Sequence, residues 1–177
     1  MRRLLATVVV AACGGDDGVT VIADAAMQQD APEQTNCLVQ PDYGALGSKT
    51  GTAGMMGGVT ATFTLDAGPP RDTFFLKMVT GKGVFTGGIA IGTYTIAGDD
   101  ADYNDCGLCV HIIADIVSGV GPTKFYFANA GSVTLTSTSP PISGSAQNLT
   151  FREVDIGTGA PTGTCTSAIG SIMFTTP

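Results

Sequence analysis

Most residues of this chain with chemistry to offer fall in one short stretch. Cys106 and Cys109 have the CxxC spacing of a thiol–disulfide oxidoreductase, where a helix N-terminus lowers the pKa of the first thiol. Here the lead-in is Asp99-Asp100-Ala101-Asp102-Tyr103-Asn104-Asp105, an acidic run that raises a thiol pKa instead. Residues 110–117 that follow are mostly β-branched and favour a strand over a helix. The pair therefore reads as a structural disulfide. Zinc is disfavoured, because the other cysteines are far away in sequence and the chain has one histidine.

The same acidic run sets Asp100, Asp102 and Asn104 at the first, third and fifth positions of a calcium loop, flanked by Asp99 and Asp105. Alternate positions let side-chain oxygens converge on one hard cation. Asp105 stands where that loop needs its turn glycine, and His111 stands where the bidentate glutamate belongs. The competing reading is a solvated acidic turn, since Asp and Asn are turn residues in their own right. Calcium is the only cofactor raised by the sequence, which otherwise reads as cofactor-free. His111 lies between Val110 and Ile112 without a Gly-x-Ser-x-Gly elbow to serve, so it reads as a strand-face residue. Glu153 and Asp155 sit two apart, about 6.8 Å along a strand. Paired carboxylates can hydrolyse glycosides, but alternating exposed carboxylates are far commoner. No catalytic residue is assigned.

These residues must be positioned by strands. Val59, Ala61, Phe63 and Leu65 alternate with Thr60, Thr62, Thr64 and Asp66, and Val133 and Leu135 alternate with Thr134 and Thr136. Period-two alternation is the mark of a half-buried antiparallel strand. Strands are expected over 59–65, 74–79, 89–96, 108–117, 124–128, 133–136, 149–156 and 168–174. Turn signals separate them at Gly68-Pro69-Pro70, Thr80, Asn129-Ala130-Gly131, Pro140-Pro141 and Gly159. Two of the runs slip phase, at Gly92 and across Arg152-Glu153, as a β-bulge would make them. The expected fold is all-β: a single antiparallel β-sandwich of jelly-roll type over residues 37–177.

The chain begins with Arg2 and Arg3, an apolar run from Leu4 to Ala12, and then Cys13. A charged start, a short apolar core and a small-residue cleavage site are the parts of an export signal. Nine residues rise only about 14 Å as a helix, against a hydrocarbon core of roughly 30 Å, so this run does not span a bilayer. Val10, Ala11, Ala12 and Cys13 resemble the lipobox of bacterial lipoproteins. The resemblance implies cleavage before Cys13 and acylation of its sulfur and freed amine. Residues 1–12 are then the signal peptide and residues 13–36, rich in Gly, Asp, Ala, Gln and Pro, a flexible tether. Twelve residues make a short signal for this class. Asp is absent directly after Cys13, which by the sorting rule of such lipoproteins points to the outer membrane, facing periplasm or cell surface. Gly92 to Ile96, Tyr103 to Cys109 and Gly131 to Thr136 also look like segments of uncharacterised secreted β-rich bacterial domains, a likeness that implies no particular activity.

With Cys13 taken by lipid, Cys37, Cys106, Cys109 and Cys165 remain, an even number for an exported protein. Three pairings exist, of which Cys37–Cys165 with Cys106–Cys109 is favoured. A bridge across more than a hundred residues contributes about 4–5 kcal/mol in the chain-entropy model. Of eight basic residues two are Arg2 and Arg3, and the remaining six face fifteen acidic ones. That balance argues against nucleic acid and against polybasic contact with anionic lipid. The expectation is a membrane-anchored envelope lipoprotein whose domain is a non-enzymatic binding or structural module, with an envelope protein or polysaccharide as partner. The alternative is an envelope enzyme, either a CxxC redox protein or a hydrolase.

Overall fold

The computed structural model describes residues 37–66 and 70–177. The expected signal, Cys13 and the tether lie outside the described residues. Nine strands form: β1 (Ala45–Thr50), β2 (Thr52–Met55), β3 (Val59–Thr64), β4 (Arg71–Met78), β5 (Gly92–Thr95), β6 (Leu108–Ile116), β7 (Lys124–Ser137), β8 (Ser143–Val154) and β9 (Pro161–Thr175). Among the described residues the only helical pieces are short 3₁₀ turns at Gly83–Phe85 and Gly98–Ala101.

The fold is all-β, as the alternation requires, but its strands are not divided between two sheets. They make one nine-stranded sheet in the order β1-β9-β8-β7-β6-β4-β3-β2, with β5 pairing the distal part of β7. The sheet is mixed rather than purely antiparallel, because β1 runs parallel to β9. This corrects the expected antiparallel two-layer sandwich. The reason lies at Gly51, the single residue between β1 and β2, which are the two ends of that order. Its N–H donates to the Thr175 carbonyl, and a Cβ built on it would lie 2.1 Å from the Thr62 carbonyl oxygen. Only glycine lets the chain pass from beside β9 to beside β3 in one step, and the sheet is curled into a half-barrel.

The concave face holds the main core. Phe63, Phe74 and Phe174 come from β3, β4 and β9, with ring centroids 5.3–6.1 Å apart in tilted contacts. Such pairs add about 0.5–1.5 kcal/mol beyond their buried area. Leu76, Val110, Ile112, Tyr126, Val133, Leu135, Leu149, Phe151, Ile169 and Ile172 fill the rest. Residues 37–44 close one end of this core. Cys37 is bridged to Cys165, Tyr126 donates its hydroxyl to the Cys37 carbonyl, and Ser167 donates to the Gln40 carbonyl. Tyr43 donates to buried Asp72, whose other oxygen accepts the Asp115 N–H at 3.0 Å. Burial pushes the Tyr43 hydroxyl and the Asp72 carboxyl up from their ordinary values, so Asp72 is accommodated by partners rather than by solvent.

Candidate functional site

Strand β6 is apolar on both faces. Leu108, Val110, Ile112 and Ala114 are buried in the main core, while Cys109 and His111 are buried on the opposite, convex face. A strand without alternation must be covered on both sides. Here the second cover is residues 99–107, which fold back over the convex face.

Asp100 holds that cover down. It is 3 % exposed, and its Oδ1 accepts from the Gly107 N–H at 2.9 Å and the Leu108 N–H at 2.7 Å. Its Oδ2 accepts from the Val84 N–H at 2.9 Å. The fit depends on Gly83, at φ 42°, where an added Cβ would lie 2.3 Å from Asp100 Oδ1. Asp102 uses Oδ1 to accept the Asn104 N–H, a local turn bond, and Asn104 Nδ2 donates to the Thr158 carbonyl. Asp99 and Asp105 are exposed. The five residues expected to surround calcium are thus drawn to different partners, chiefly because Asp100 lies in a 3₁₀ turn and faces inward. No three His, Cys, Asp or Glu side chains among the described residues form a metal position.

Cys106 and Cys109 are joined, close the base of the cover and are both buried. A strand, not a helix, follows them, so no helix N-terminus stabilises a thiolate. Glu153 points to the concave side and pairs with Lys124 at 3.2 Å. Asp155 lies past the end of β8, where its Oδ1 accepts from Gly157, Thr158 N–H and the Thr158 hydroxyl. Those bonds hold its carboxyl below the usual range. The two acids do not face one another as a hydrolytic pair.

The residue that stands apart is His111. On the convex face it registers between Phe75 of β4 and Phe127 of β7. Its ring centroid lies 5.7 Å from Phe75, 5.0 Å from Phe127 and 5.6 Å from Tyr103, which comes from the cover. It is 6 % exposed, and neither Nδ1 nor Nε2 has a hydrogen-bond partner. A neutral imidazole carries one donor and one acceptor, and each costs about 1–3 kcal/mol when buried unpaired. Burial, reinforced by the charge of Lys77, pushes its pKa down to about 3, so the ring is neutral at physiological pH. No nucleophile is hydrogen-bonded to either nitrogen, so the ring does not form half of a nucleophile–base pair.

His111 opens instead onto a cavity of about 350 Å³, walled by Phe75, Ile113 and Phe125 and rimmed by Met56, Lys77, Tyr103 and Ile156. This volume is within the roughly 300–1,000 Å³ range of small-molecule pockets, and its make-up is theirs too: apolar walls with a few polar groups. Met56 and Ile156 come from the β2–β3 and β8–β9 connections and are 69 % and 41 % exposed. The sequence reading placed His111 on a strand face but missed the pocket. Its signal was there in the absence of alternation at 108–113 and in Phe125-Tyr126-Phe127, where both faces demand cover.

No family model, curated protein or solved structure matches the chain.

Proposed function

We propose that this protein is a lipid-anchored module of the bacterial cell envelope whose β domain binds a small, largely apolar molecule in the pocket over His111. One observation carries the binding half of the reading. A fully buried imidazole with two unpartnered nitrogens opens onto an apolar cavity of ligand size. A bound molecule would lay its apolar body over Phe75, Ile113 and Phe125 against the His111 ring and keep a polar group at the rim. The envelope half rests on the lipobox resemblance at Val10-Ala11-Ala12-Cys13 and on disulfides suited to an oxidising compartment. An acylated Cys13 would hold the domain at a membrane, with an envelope protein or polysaccharide as a further partner.

The binding half is tested through the ring itself. His111 is the only histidine, so ¹⁵N-histidine labelling yields one imidazole to follow. Titration with n-octanol and 4-phenyl-1-butanol should shift its ring nitrogens saturably, and Ile113→Trp, which fills the cavity, should remove the response. Ring signals that never move, or that move equally in the filled variant, would defeat the reading. The envelope half is tested by palmitate labelling in expressing cells with and without globomycin. Label retained by Cys13→Ala would sink it.

A further inference from the structure

We infer that the pocket over His111 is built for an amphipathic monoanion, a carboxylate on an apolar body, with Lys77 as the counter-charge for its head group. The inference rests on the pocket reading above and adds a substrate class to it. Lys77 follows Phe75 by two residues on β4 and so shares the convex face with it, where it pairs in register with Cys109. It is half-buried at the rim of the cavity, and its Nζ lies against the β2–β3 turn, 3.4 Å from where a Cβ on Gly57 would stand. The only ion pair among the described residues is Lys124–Glu153, on the other face of the sheet. Lys77 therefore carries an uncompensated charge beside an apolar cavity, in a chain with nearly twice as many acidic as basic residues.

The other charges near the pocket make bonds of their own, although Arg152 Nε is buried without a partner. Asp155, the carboxylate that acts on Tyr103, spends Oδ1 on three donors of its own turn. Arg152, beside Phe127 on the convex face, donates to the Ala101 carbonyl. The Tyr103 hydroxyl, also at the rim, makes no hydrogen bond to the described residues and can donate to the same head group as Lys77. A carboxylate at the rim would thus meet an ammonium and a phenol, both donors, and its apolar body would lie on Phe75, Ile113 and Phe125. Charge-assisted hydrogen bonds of this kind are about twice as strong as neutral ones. A cationic head group would meet Lys77 as a like charge, and a neutral one would leave it uncompensated.

The test compares probes of one shape and different charge on the full chain. Octanoate and 4-phenylbutyrate are titrated beside their primary amides, with the His111 ring nitrogens and isothermal calorimetry as readouts. Each carboxylate should bind at least tenfold more tightly than its amide. Lys77→Met, which keeps an apolar stem and whose fold is checked by circular dichroism, should reduce that preference to twofold or less. Amides that bind as tightly as the acids would overturn the anion assignment and leave the pocket standing. So would a preference that survives Lys77→Met. If none of the four probes moves the ring signals, both the assignment and the pocket reading fail.

Discussion

Asp100, within the cover, and His111, beneath it, are both buried, and they could hardly be treated more differently. Asp100 is a carboxylate with three backbone N–H groups aimed at it. His111 is an imidazole with no partner on either nitrogen. A buried polar group with every valence answered by the chain is part of the scaffold. One left unpaired in the wall of a cavity is not answered by the scaffold. The difference separates what holds the convex-face cover in place from what the cover is held in place for.

The comparison can be broken at either residue. The largest effect is expected from Asp100→Ala, which orphans the buried Gly107 and Leu108 N–H groups and should cost about 3–4 kcal/mol. Urea unfolding with the disulfides intact measures it, and a loss below about 1 kcal/mol would mean that Asp100 is not the anchor. Next comes acid. The unfolded chain protonates His111 near 6.5, whereas the folded protein keeps it neutral down to about 3. Between those values the unfolded state binds more protons, so stability is full above the upper value and falls as pH drops through the window. Between pH 7 and pH 5 the loss from this residue is about 2 kcal/mol. It should appear as a difference between the native protein and His111→Phe, in which the opposite contribution of Asp72, whose carboxyl is raised, cancels.

At neutral pH His111→Phe itself should raise stability by about 1 kcal/mol, because it removes two unpaired polar atoms from an aromatic setting. A loss of more than about 2 kcal/mol would reveal a structural partner for the ring. The smallest effect is reserved for Lys77→Met. A half-buried lysine without an ion pair should change stability by no more than about 0.5 kcal/mol, whatever it does to an anionic probe. Equilibrium unfolding of both variants in one buffer checks the ranking.

Much of the scaffold was legible in the sequence, and the parts that were not share a cause. Alternation located β3, and apolar runs between turn signals located β4 and β6, each to within a few residues. The phase slip at Arg152-Glu153 coincides with the register shift between Arg152 and Val154 in the β8–β9 pairing. By contrast, Asn129-Ala130-Gly131 carries turn residues, yet β7 runs straight through them. The signal is absorbed as irregular pairing with β8 and a positive φ at Gly131. Strands β1 and β2 went unseen because Ala45–Met55 has no apolar alternation. β1 is held mainly by backbone pairing with β9, more than a hundred residues away. The acidic spacing at 100, 102 and 104 was real, but side-chain direction is set by the 3₁₀ turn, which spacing alone does not reveal. The His111 pocket depends on Tyr103 folding across β6, a tertiary contact with no local signature.

The one-residue crossing at Gly51 also bears on how this molecule avoids its own copies. A nine-stranded sheet ending in the fifteen-residue β9 would present a long row of free N–H and C=O groups, a template for aggregation. The chain instead spends one short segment on both borders, six residues against β9 and four against β3. β1 pairs with β9 over residues 171–175, so only the C-terminal end of that border is covered by a strand. On the lipid-anchored reading proposed above, with copies held at high local density, how that border is covered would matter as much as any pocket.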